Sequence, residues 1–212
     1  MIENFMAMLY ELAHTGNGAL IPVLCLAGAY LLGAVSPSIL LGRLYGVDIR
    51  DKGSGNAGTT NALRVLGKKV AALTLAIDIL KGCAAVLLAR MVLGDAFALL
   101  CGLAALCGHI WPIFFQFKGG KGVATALGAV MAFDIRIGLA LAGLALLLIF
   151  VTKRVSVGAL AAAAALPIAI QMVYPAYFAI AALIAVLVWV KHRQNIGRLL
   201  KGQEPKLKFK AQ

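Results

Sequence analysis

The stretch GVATALGAVMAFDIRIGLALAGLALLLIFV, residues 122–151, decides how this chain folds. It consists almost entirely of apolar and small residues, apart from Asp134 and Arg136 near its centre. A transmembrane helix needs about 20 apolar residues, so one helix over the whole stretch would hold both charges near the middle of the bilayer, at a substantial cost in free energy. Two shorter helices that turn at residues 133–136 would hold them at a membrane surface. We therefore predict two helices here.

The rest of the chain is equally apolar. Hydrophobic residues make up 62% of the 212 and charged residues 13%, with a mean hydropathy of +0.95, whereas soluble domains are about 45–50% apolar and about 25% charged. A soluble domain of this size could not bury so much apolar surface, and a disordered chain is far more polar. The sequence therefore predicts an all-α polytopic membrane protein, a single domain over residues 1–212 with seven transmembrane helices. The other apolar runs cover residues 19–42, 70–93, 96–115, 155–174 and 176–190.

The excess of basic residues predicts the orientation of the chain. Its 20 Lys and Arg and eight Asp and Glu give a net charge of +12, and basic residues concentrate in cytoplasmic loops. Seven spans with the N-terminus outside place 17 of the 20 basic residues in the cytoplasm. Six spans would send the basic C-terminal tail outside. We therefore predict an external N-terminus, a cytoplasmic C-terminus and an external turn at Asp134 to Arg136. The cytoplasmic segments are then 43–69, 108–121, 152–155 and the tail from Lys191.

The first of three polar clusters is GSGNAGTTN, residues 53–61, followed by Arg64. Glycines tolerate positive φ and close backbone approach, and successive N–H groups in such a loop form a concavity that binds anions. Thr59, Thr60 or Asn61 is expected to cap a following helix, whose positive end would face that concavity. We interpret the cluster as a phosphate site, with a plain polar loop as the alternative. Its candidate binding residues are Gly53, Ser54, Gly55, Asn56, Thr60, Asn61 and Arg64.

The second cluster consists of GHIWP, residues 108–112, and FKGGKG, residues 117–122. Its alternating glycines and lysines are typical of a phosphate cradle. It is not a P-loop, because Phe114 and Phe115 stand near the place of the first glycine and Gly122 replaces the Ser or Thr that should follow the lysine. The alternatives are lysines that snorkel to the membrane surface and a structural histidine at a helix end. The candidate residues are His109, Lys118, Gly119, Gly120, Lys121 and Gly122.

The third cluster is HRQNIGRLL, residues 192–200, in which His192 and Asn195 share a helical face. An ordinary membrane-exit tail, in which Arg193 is a positive-inside anchor, is the alternative interpretation. A separate pair, Asp78 and Lys81, lies inside the second apolar run. Charges at that depth are functional candidates, and a structural ion pair between the two is the alternative.

Residue patterns typical of other kinds of catalysis are missing from the sequence. The sequence has neither the nucleophile elbow GxSxG nor the zinc motif HExxH. Its four cysteines lie in apolar runs without CxxC spacing, so we interpret them as small core residues. We predict no metal and no cofactor. Nucleic acid is not an expected partner, because no basic domain stands clear of the bilayer.

Taken together, GSGNAGTTNALR (53–64), GHIWPIFFQFKGGKGVAT (108–125) and HRQNIGRL (192–199) resemble the three signature segments of the bacterial acyl-phosphate:glycerol-3-phosphate acyltransferases, the PlsY family. The resemblance covers nearly the whole chain, including Asp78, Lys81 and Gly82, and departs from the family at Thr59, where Ala is usual. It implies seven spans in the bacterial inner membrane with a cytoplasmic active site. It also implies transfer of a fatty acyl group from acyl phosphate to the sn-1 hydroxyl of glycerol-3-phosphate, the first step of phospholipid synthesis. The products are lysophosphatidic acid and phosphate.

The resemblance also assigns roles to residues. Ser54, Gly55 and Asn56 would hold the acyl phosphate together with Gly119, Gly120 and Lys121. Arg64 would bind glycerol-3-phosphate and share Lys121, while His192 and Asn195 would orient its hydroxyls or the reacting carbonyl. Ser54, Lys121, His192 and Asn195 are thus the candidate catalytic residues. The resemblance suggests that a substrate phosphate accepts the hydroxyl proton, with His192 or His109 as the rival base.

Two further functions remain open from the sequence. A small phosphate or anion transporter would share the basic, glycine-rich face, but we find no inverted repeat of the kind common in transporters. A scaffold without chemistry would leave the two glycine-rich loops unexplained. For the enzyme, we expect acyl phosphate, glycerol-3-phosphate and membrane lipids as partners, a monomer as the assembly, and neither acyl-CoA nor acyl-carrier protein as donor.

Overall fold

A computed structural model describes residues 20–207, which are helical and contain no β-strand. The predicted external N-terminus lies outside the described residues, as do Lys208 and Lys210 of the basic tail. Short 3-10 turns occur at Ile49–Asp51, Ile113–Phe115 and Pro175–Tyr177. The α-helices are α1 (Leu20–Ala34), α2 (Pro37–Leu44), α3 (Thr59–Val65), α4 (Lys68–Leu93), α5 (Asp95–Ile110), α6 (Val123–Phe133), α7 (Ile135–Thr152), α8 (Val155–Val173), α9 (Phe178–Lys191) and α10 (Arg193–Leu200).

Several of these helices are suited to cross a membrane. Within residues 20–207, five segments are long and apolar enough, and a sixth arises if α9 and α10, which meet at a bend of 61°, count as one span. The chain is therefore a multi-pass membrane protein. The five segments are Leu20–Leu44, Lys68–Leu93, Phe97–Phe115, Ile135–Thr152 and Val155–Val173.

The break predicted at residues 133–136 is confirmed. Helix α6 ends at Phe133, Asp134 is extended (φ −144°, ψ 114°), and α7 begins at Ile135. With 11 residues, α6 rises about 16 Å, roughly half the thickness of a hydrocarbon core of about 30 Å. It is thus an apolar helix that is shorter than an ordinary span.

The described chain forms two compact units, one ending at Ile135 and one beginning at Arg136, and each is described by itself. In the first unit, α4 packs against α1, α5 and α6, and α1 packs against α5. Glycines permit these contacts: a Cβ on Gly33 would overlap the carbonyl of Ala105, and one on Gly82 would overlap the carbonyl of Thr125. Such close backbone approach is how helices associate in lipid.

Arg90 marks one end of the first unit. Its guanidinium donates to Asp95 Oδ1 at the start of α5 (2.6 Å) and to the carbonyls of Ala132 and Phe133 at the end of α6 (both 2.9 Å). The end of α4, the start of α5 and the end of α6 therefore lie together. Because these helices alternate in direction, the start of α4, the end of α5 and the start of α6 lie at the opposite end, where both glycine-rich clusters occur.

The second unit contains most of α7 together with α8, α9 and α10. A Cβ on Gly158 of α8 would overlap the carbonyl of Ala145 in α7, and Trp189 of α9 donates its indole N–H to the carbonyl of Leu160 (3.2 Å). After α10 the chain returns toward the start of α8, where the Leu207 N–H donates to the carbonyl of Lys153 (2.7 Å). These contacts place the polar residues after α9 beside the α7–α8 turn.

Candidate active site

Asn61 organises the first glycine-rich cluster. Its amide oxygen accepts the N–H of Ser54 (2.8 Å), and its amide nitrogen donates to the carbonyls of Ile49 (2.9 Å) and Lys52 (3.0 Å). Gly55, at φ +69°, adds a bond from its N–H to Lys52 O (3.0 Å). Since only 1% of Asn61 is exposed, its side chain serves to shape the loop that carries Ser54.

The expectation that Thr59, Thr60 or Asn61 caps the helix after this loop is wrong. Gly58 is the N-cap, in an extended conformation (φ −159°, ψ 172°) and without a side-chain cap, and Thr59 is the first helical residue. Thr59, Thr60 and Asn61 all lie inside α3, after the cap position, and the Asn61 side chain bonds to the preceding loop. The remaining candidates of this cluster, Gly53, Asn56 and Thr60, lie in the same loop and in the first turn of α3.

The second cluster folds back along the end of α5. The N–H of Gly119 donates to Ile110 O (3.3 Å) and the N–H of Gly120 donates to His109 O (3.2 Å). A Cβ on Gly119 would overlap the His109 carbonyl. Gly122, at φ +79°, is the N-cap of α6. These glycines therefore let the lysine-bearing segment lie directly against the helix end.

The structure brings the first two clusters into contact. A Cβ on Gly120 would fall against both the carbonyl oxygen of Ala57 and Nε2 of His109. A second connection runs from Arg50, whose guanidinium donates to the carbonyl of Phe115 (3.0 Å). Two segments about sixty residues apart in sequence thus form one surface at one end of the first unit.

Basic side chains surround this surface. Arg64 and Lys118 are exposed, and Lys121 is half-buried between its two glycines. Arg50 is occupied differently: its hydrogen bond to Asp48, at 2.6 Å, lowers the pKa of that carboxyl to about 2. Arg50 thus braces the loop as an ion pair, while the other three cations give the surface its positive charge, which suits an anionic ligand.

Asp78 and Lys81 form a buried ion pair beneath the two clusters. Lys81 Nζ lies 2.7 Å from Asp78 Oδ1, 2.7 Å from the carbonyl of Val35 and 2.9 Å from Nδ1 of His109. The Thr125 hydroxyl lies 3.2 Å from the same nitrogen. Asp78, Lys81 and His109 are only 2%, 4% and 5% exposed. The geometry is that of the ion pair which the sequence left as one of two alternatives.

The third cluster lies in the second unit, at the bend between α9 and α10. His192 is buried, and its Nδ1 lies 2.7 Å from the carbonyl of Val188. Because a carbonyl can only accept, Nδ1 carries a hydrogen. Arg193 is exposed at the first position of α10.

Glu204 is a residue to which the sequence analysis gave no role. Its carboxylate accepts from Asn195 (2.6 Å), Ser156 (2.8 Å) and Arg198 (2.7 Å). Burial raises the pKa of this carboxyl, but the three hydrogen bonds outweigh burial and hold the pKa below its ordinary value. A signal existed in the sequence, since Glu204 is the one acidic residue after Asp134. The predicted catalytic residue Asn195 is thus fixed by a buried carboxylate.

Comparison with known proteins shows which family the chain belongs to. Residues 23–202 match the family model of glycerol-3-phosphate acyltransferase. A glycerol-3-phosphate acyltransferase of Trichlorobacter lovleyi is 45% identical over 186 residues, covering 86% of this chain and 96% of the relative. One of Jannaschia sp. is 47% identical over 181 residues, covering 84% and 89%.

Two solved structures are also similar to this chain. The crystal structure of PlsY (YgiH), an integral membrane glycerol 3-phosphate acyltransferase, in its glycerol 3-phosphate form has a TM-score of 0.84 and 36% identity, over 88% of this chain and 96% of that one. Its lysophosphatidic acid form gives 0.82 and 35%, over 88% and 95%.

Fold and comparisons therefore define the class: the protein is a polytopic membrane acyltransferase. More particularly, the chain belongs to the glycerol-3-phosphate acyltransferase family, as its three signature segments predicted. An enzyme replaces the anion transporter that composition and charge had left open.

Proposed function

We propose that the protein transfers a fatty acyl group from acyl phosphate to the sn-1 hydroxyl of glycerol-3-phosphate. The hydroxyl oxygen bonds to the acyl carbon, the bond from that carbon to the phosphate oxygen breaks, and the hydroxyl proton ends on the released phosphate. The observation that carries the proposal is the contact of the two glycine-rich clusters at Gly120, Ala57 and His109. Both substrates bear phosphate, and two anion-binding segments side by side suit that pair.

The proposed donor site uses both clusters. Ser54, Gly55 and Asn56 hold the acyl phosphate from one side, and Gly119 and Gly120 hold it with Lys121 from the other. In support, Asn61 fixes the backbone at Ser54, and Gly120 lies against Ala57 without room for a side chain. Gly53, Thr60, Lys118 and Gly122 complete the surroundings of the site.

The proposed acceptor site is cationic. Arg64 and Lys121, both in the first unit, bind the phosphate of glycerol-3-phosphate. In the second unit, the family resemblance gives Asn195 and His192 the role of orienting the hydroxyls or the reacting carbonyl. Asn195 is suited to this because its amide is held by Glu204 at 2.6 Å.

The chemistry needs little more than position and charge. An acyl phosphate is an activated anhydride whose leaving group departs readily once its charge is stabilised, so orientation and preorganised cations can supply most of the acceleration. We propose that a substrate phosphate accepts the proton. His192 remains the rival base, since a neutral ring that donates from Nδ1 to Val188 has its lone pair on Nε2.

The proposed membrane arrangement has seven spans, with the N-terminus outside and the C-terminus in the cytoplasm of a bacterial cell, in the inner membrane, as a monomer. Helix α6 counts as the fourth span in this arrangement. Supporting this, α4, α5 and α6 alternate in direction between the Arg90 end and the glycine-rich end. The seven-span count makes the Arg90 end external and the proposed active site cytoplasmic.

A reconstitution with defined donors tests the proposed reaction. Purified protein in lipid vesicles receives palmitoyl phosphate and glycerol-3-phosphate, with palmitoyl-CoA and palmitoyl-acyl-carrier protein as parallel donors. We expect 1-acyl lysophosphatidic acid and one phosphate per turnover from acyl phosphate alone. Equal product from palmitoyl-CoA, or a predominant 2-acyl product after acyl migration is suppressed, contradicts the donor or the sn-1 assignment respectively.

A further inference from the structure

Lys81 Nζ has three close polar neighbours. An ammonium group offers three N–H donors and no acceptor. In the first unit its three neighbours are Asp78 Oδ1 at 2.7 Å, the carbonyl of Val35 at 2.7 Å and His109 Nδ1 at 2.9 Å. The buried ammonium thus lies against a carboxylate and donates hydrogen bonds to a carbonyl and an imidazole nitrogen, which offsets the cost of keeping its charge away from water.

This arrangement determines where His109 carries its hydrogen. Since Lys81 can only donate, Nδ1 of His109 has to accept, and a neutral imidazole that accepts at Nδ1 is protonated at Nε2. Asp78 Oδ1 also lies 3.2 Å from Nδ1 and would favour a hydrogen there. The ammonium is closer, at 2.9 Å, and the Thr125 hydroxyl lies 3.2 Å from the same nitrogen.

The other edge of the His109 ring faces the proposed active site. A Cβ added to Gly120 would fall on Nε2 and beside the Ala57 carbonyl. The backbone of His109 reaches the same segment, because its carbonyl accepts the N–H of Gly120 at 3.2 Å. The hydrogen on Nε2 is therefore directed at the place where the two glycine-rich clusters meet.

We propose that Lys81, paired with Asp78, is a positioning residue that holds His109 as the Nε2–H tautomer. At the contact between the two glycine-rich clusters, His109 then acts as a hydrogen-bond donor and not as a base. Asp78 holds the ammonium in place, and neither charged residue touches substrate. His109 in turn holds the Gly119–Lys121 segment against the end of α5. Only the kinetic consequence of this proposal rests on the proposed function.

Nitrogen NMR of the ring tests the tautomer without any activity. Protein labelled with ¹⁵N-histidine contains only three histidines, and His109 is assigned by the signals lost in His109→Gln. We expect Nδ1 of His109 to be unprotonated and Nε2 protonated. His192, whose Nδ1 donates to Val188, should show the opposite tautomer when neutral and serves as the reference. A His109 with a hydrogen on Nδ1, or with hydrogens on both nitrogens at neutral pH, overturns the proposal in the wild-type protein itself.

A paired variant tests the part played by Lys81. The double substitution Asp78→Asn, Lys81→Met removes both charges together, because removing one alone leaves an unpaired buried charge. We expect the fraction of His109 with a hydrogen on Nδ1 to rise, since the amide oxygen of the new Asn accepts and the ammonium is gone. An unchanged His109 spectrum in the folded double variant contradicts the role of Lys81.

Kinetics separate positioning from structure. In the double variant we expect KM for the phosphate substrates to rise by about tenfold, the loss expected for one weakened hydrogen bond, with a smaller change in kcat. His109→Gln, whose amide can still donate, should keep more activity than His109→Ala. Equal losses in these two variants contradict the donor role. Absence of any product from acyl phosphate in the wild type contradicts the proposed function, while the NMR result stands by itself.

Discussion

Lys121 and Arg64 are the cations on which the proposed phosphate binding depends. Losing one charge-assisted contact to a desolvated phosphate costs a few kcal/mol, so Lys121→Ala and Arg64→Ala should each lower kcat/KM by about a hundredfold or more with the protein still folded. Lys69→Ala, in an exposed position on the first turn of α4, is the matched control and should behave as wild type. Near-normal turnover of Lys121→Ala would show that the glycine–lysine segment is only a membrane anchor.

His192 distinguishes the two candidates for the base. If a substrate phosphate takes the proton, His192→Gln retains measurable activity, because Gln still forms hydrogen bonds, and His192→Ala loses more. A histidine base contributes typically about 10²–10⁴-fold, and Gln would then be as damaging as Ala. The measurement is the pH–rate profile. Loss of an acidic limb near pH 6.5, about where free imidazole titrates, together with nearly all activity in His192→Gln, contradicts the substrate-assisted mechanism.

The buried carboxylate of Glu204 should make the stability of the segment around α10 depend on pH. Its carboxyl has an ordinary pKa of 4.5, and the folded state holds it lower. A lowered pKa means that the carboxylate stabilises the folded state fully above pH 4.5, and that this stabilisation fades as the pH falls further. Thermal unfolding between pH 7 and pH 3 should therefore depend less on pH in Glu204→Gln than in wild type. An identical pH dependence in both proteins would contradict this assignment.

At the scale of elements, the close contact of α4 and α6 depends on a glycine. In Gly82→Ala the new Cβ meets the carbonyl of Thr125, so the helices must separate, at a cost of about 1–3 kcal/mol. Gly143→Ala, in α7 with open space around it, is the control and should be neutral or slightly stabilising. Unfolding in detergent measures both, and equal stabilities would show that the α4–α6 contact relaxes at no cost.

Patterns along the chain predicted the helices well and their contacts poorly. Hydrophobic runs located every long helix, and the charges at 134 and 136 located the break between α6 and α7, because the cost of burying a charge in lipid is visible in sequence. The three motifs located the candidate site. No local pattern shows that the loop before α3 bonds to the Asn61 side chain, or that Asp78 and Lys81 meet His109. Both contacts depend on how separate segments of the chain pack.

At the scale of the whole molecule, the proposed orientation is testable from outside the cell. In a background without the four native cysteines, we expect Arg136→Cys to react with an impermeant thiol reagent in intact cells and Lys206→Cys to react only after permeabilisation. Both positions are exposed, so access and not burial decides the outcome. Labelling of residue 206 in intact cells would contradict the seven-span arrangement.

The short α6 has a consequence for where the reactants meet. In the proposed orientation its Phe133 end lies near the outer surface, and a rise of about 16 Å brings its Val123 end only about midway through a core of about 30 Å. In that orientation the glycine–lysine segment before α6 is expected to lie below the cytoplasmic surface of the membrane. A lipid-borne donor would then reach the segment by lateral diffusion, whereas a small hydrophilic acceptor would have to pass below the headgroups and lose water on the way. In the proposed arrangement, the two reactants would therefore arrive at the site from different directions.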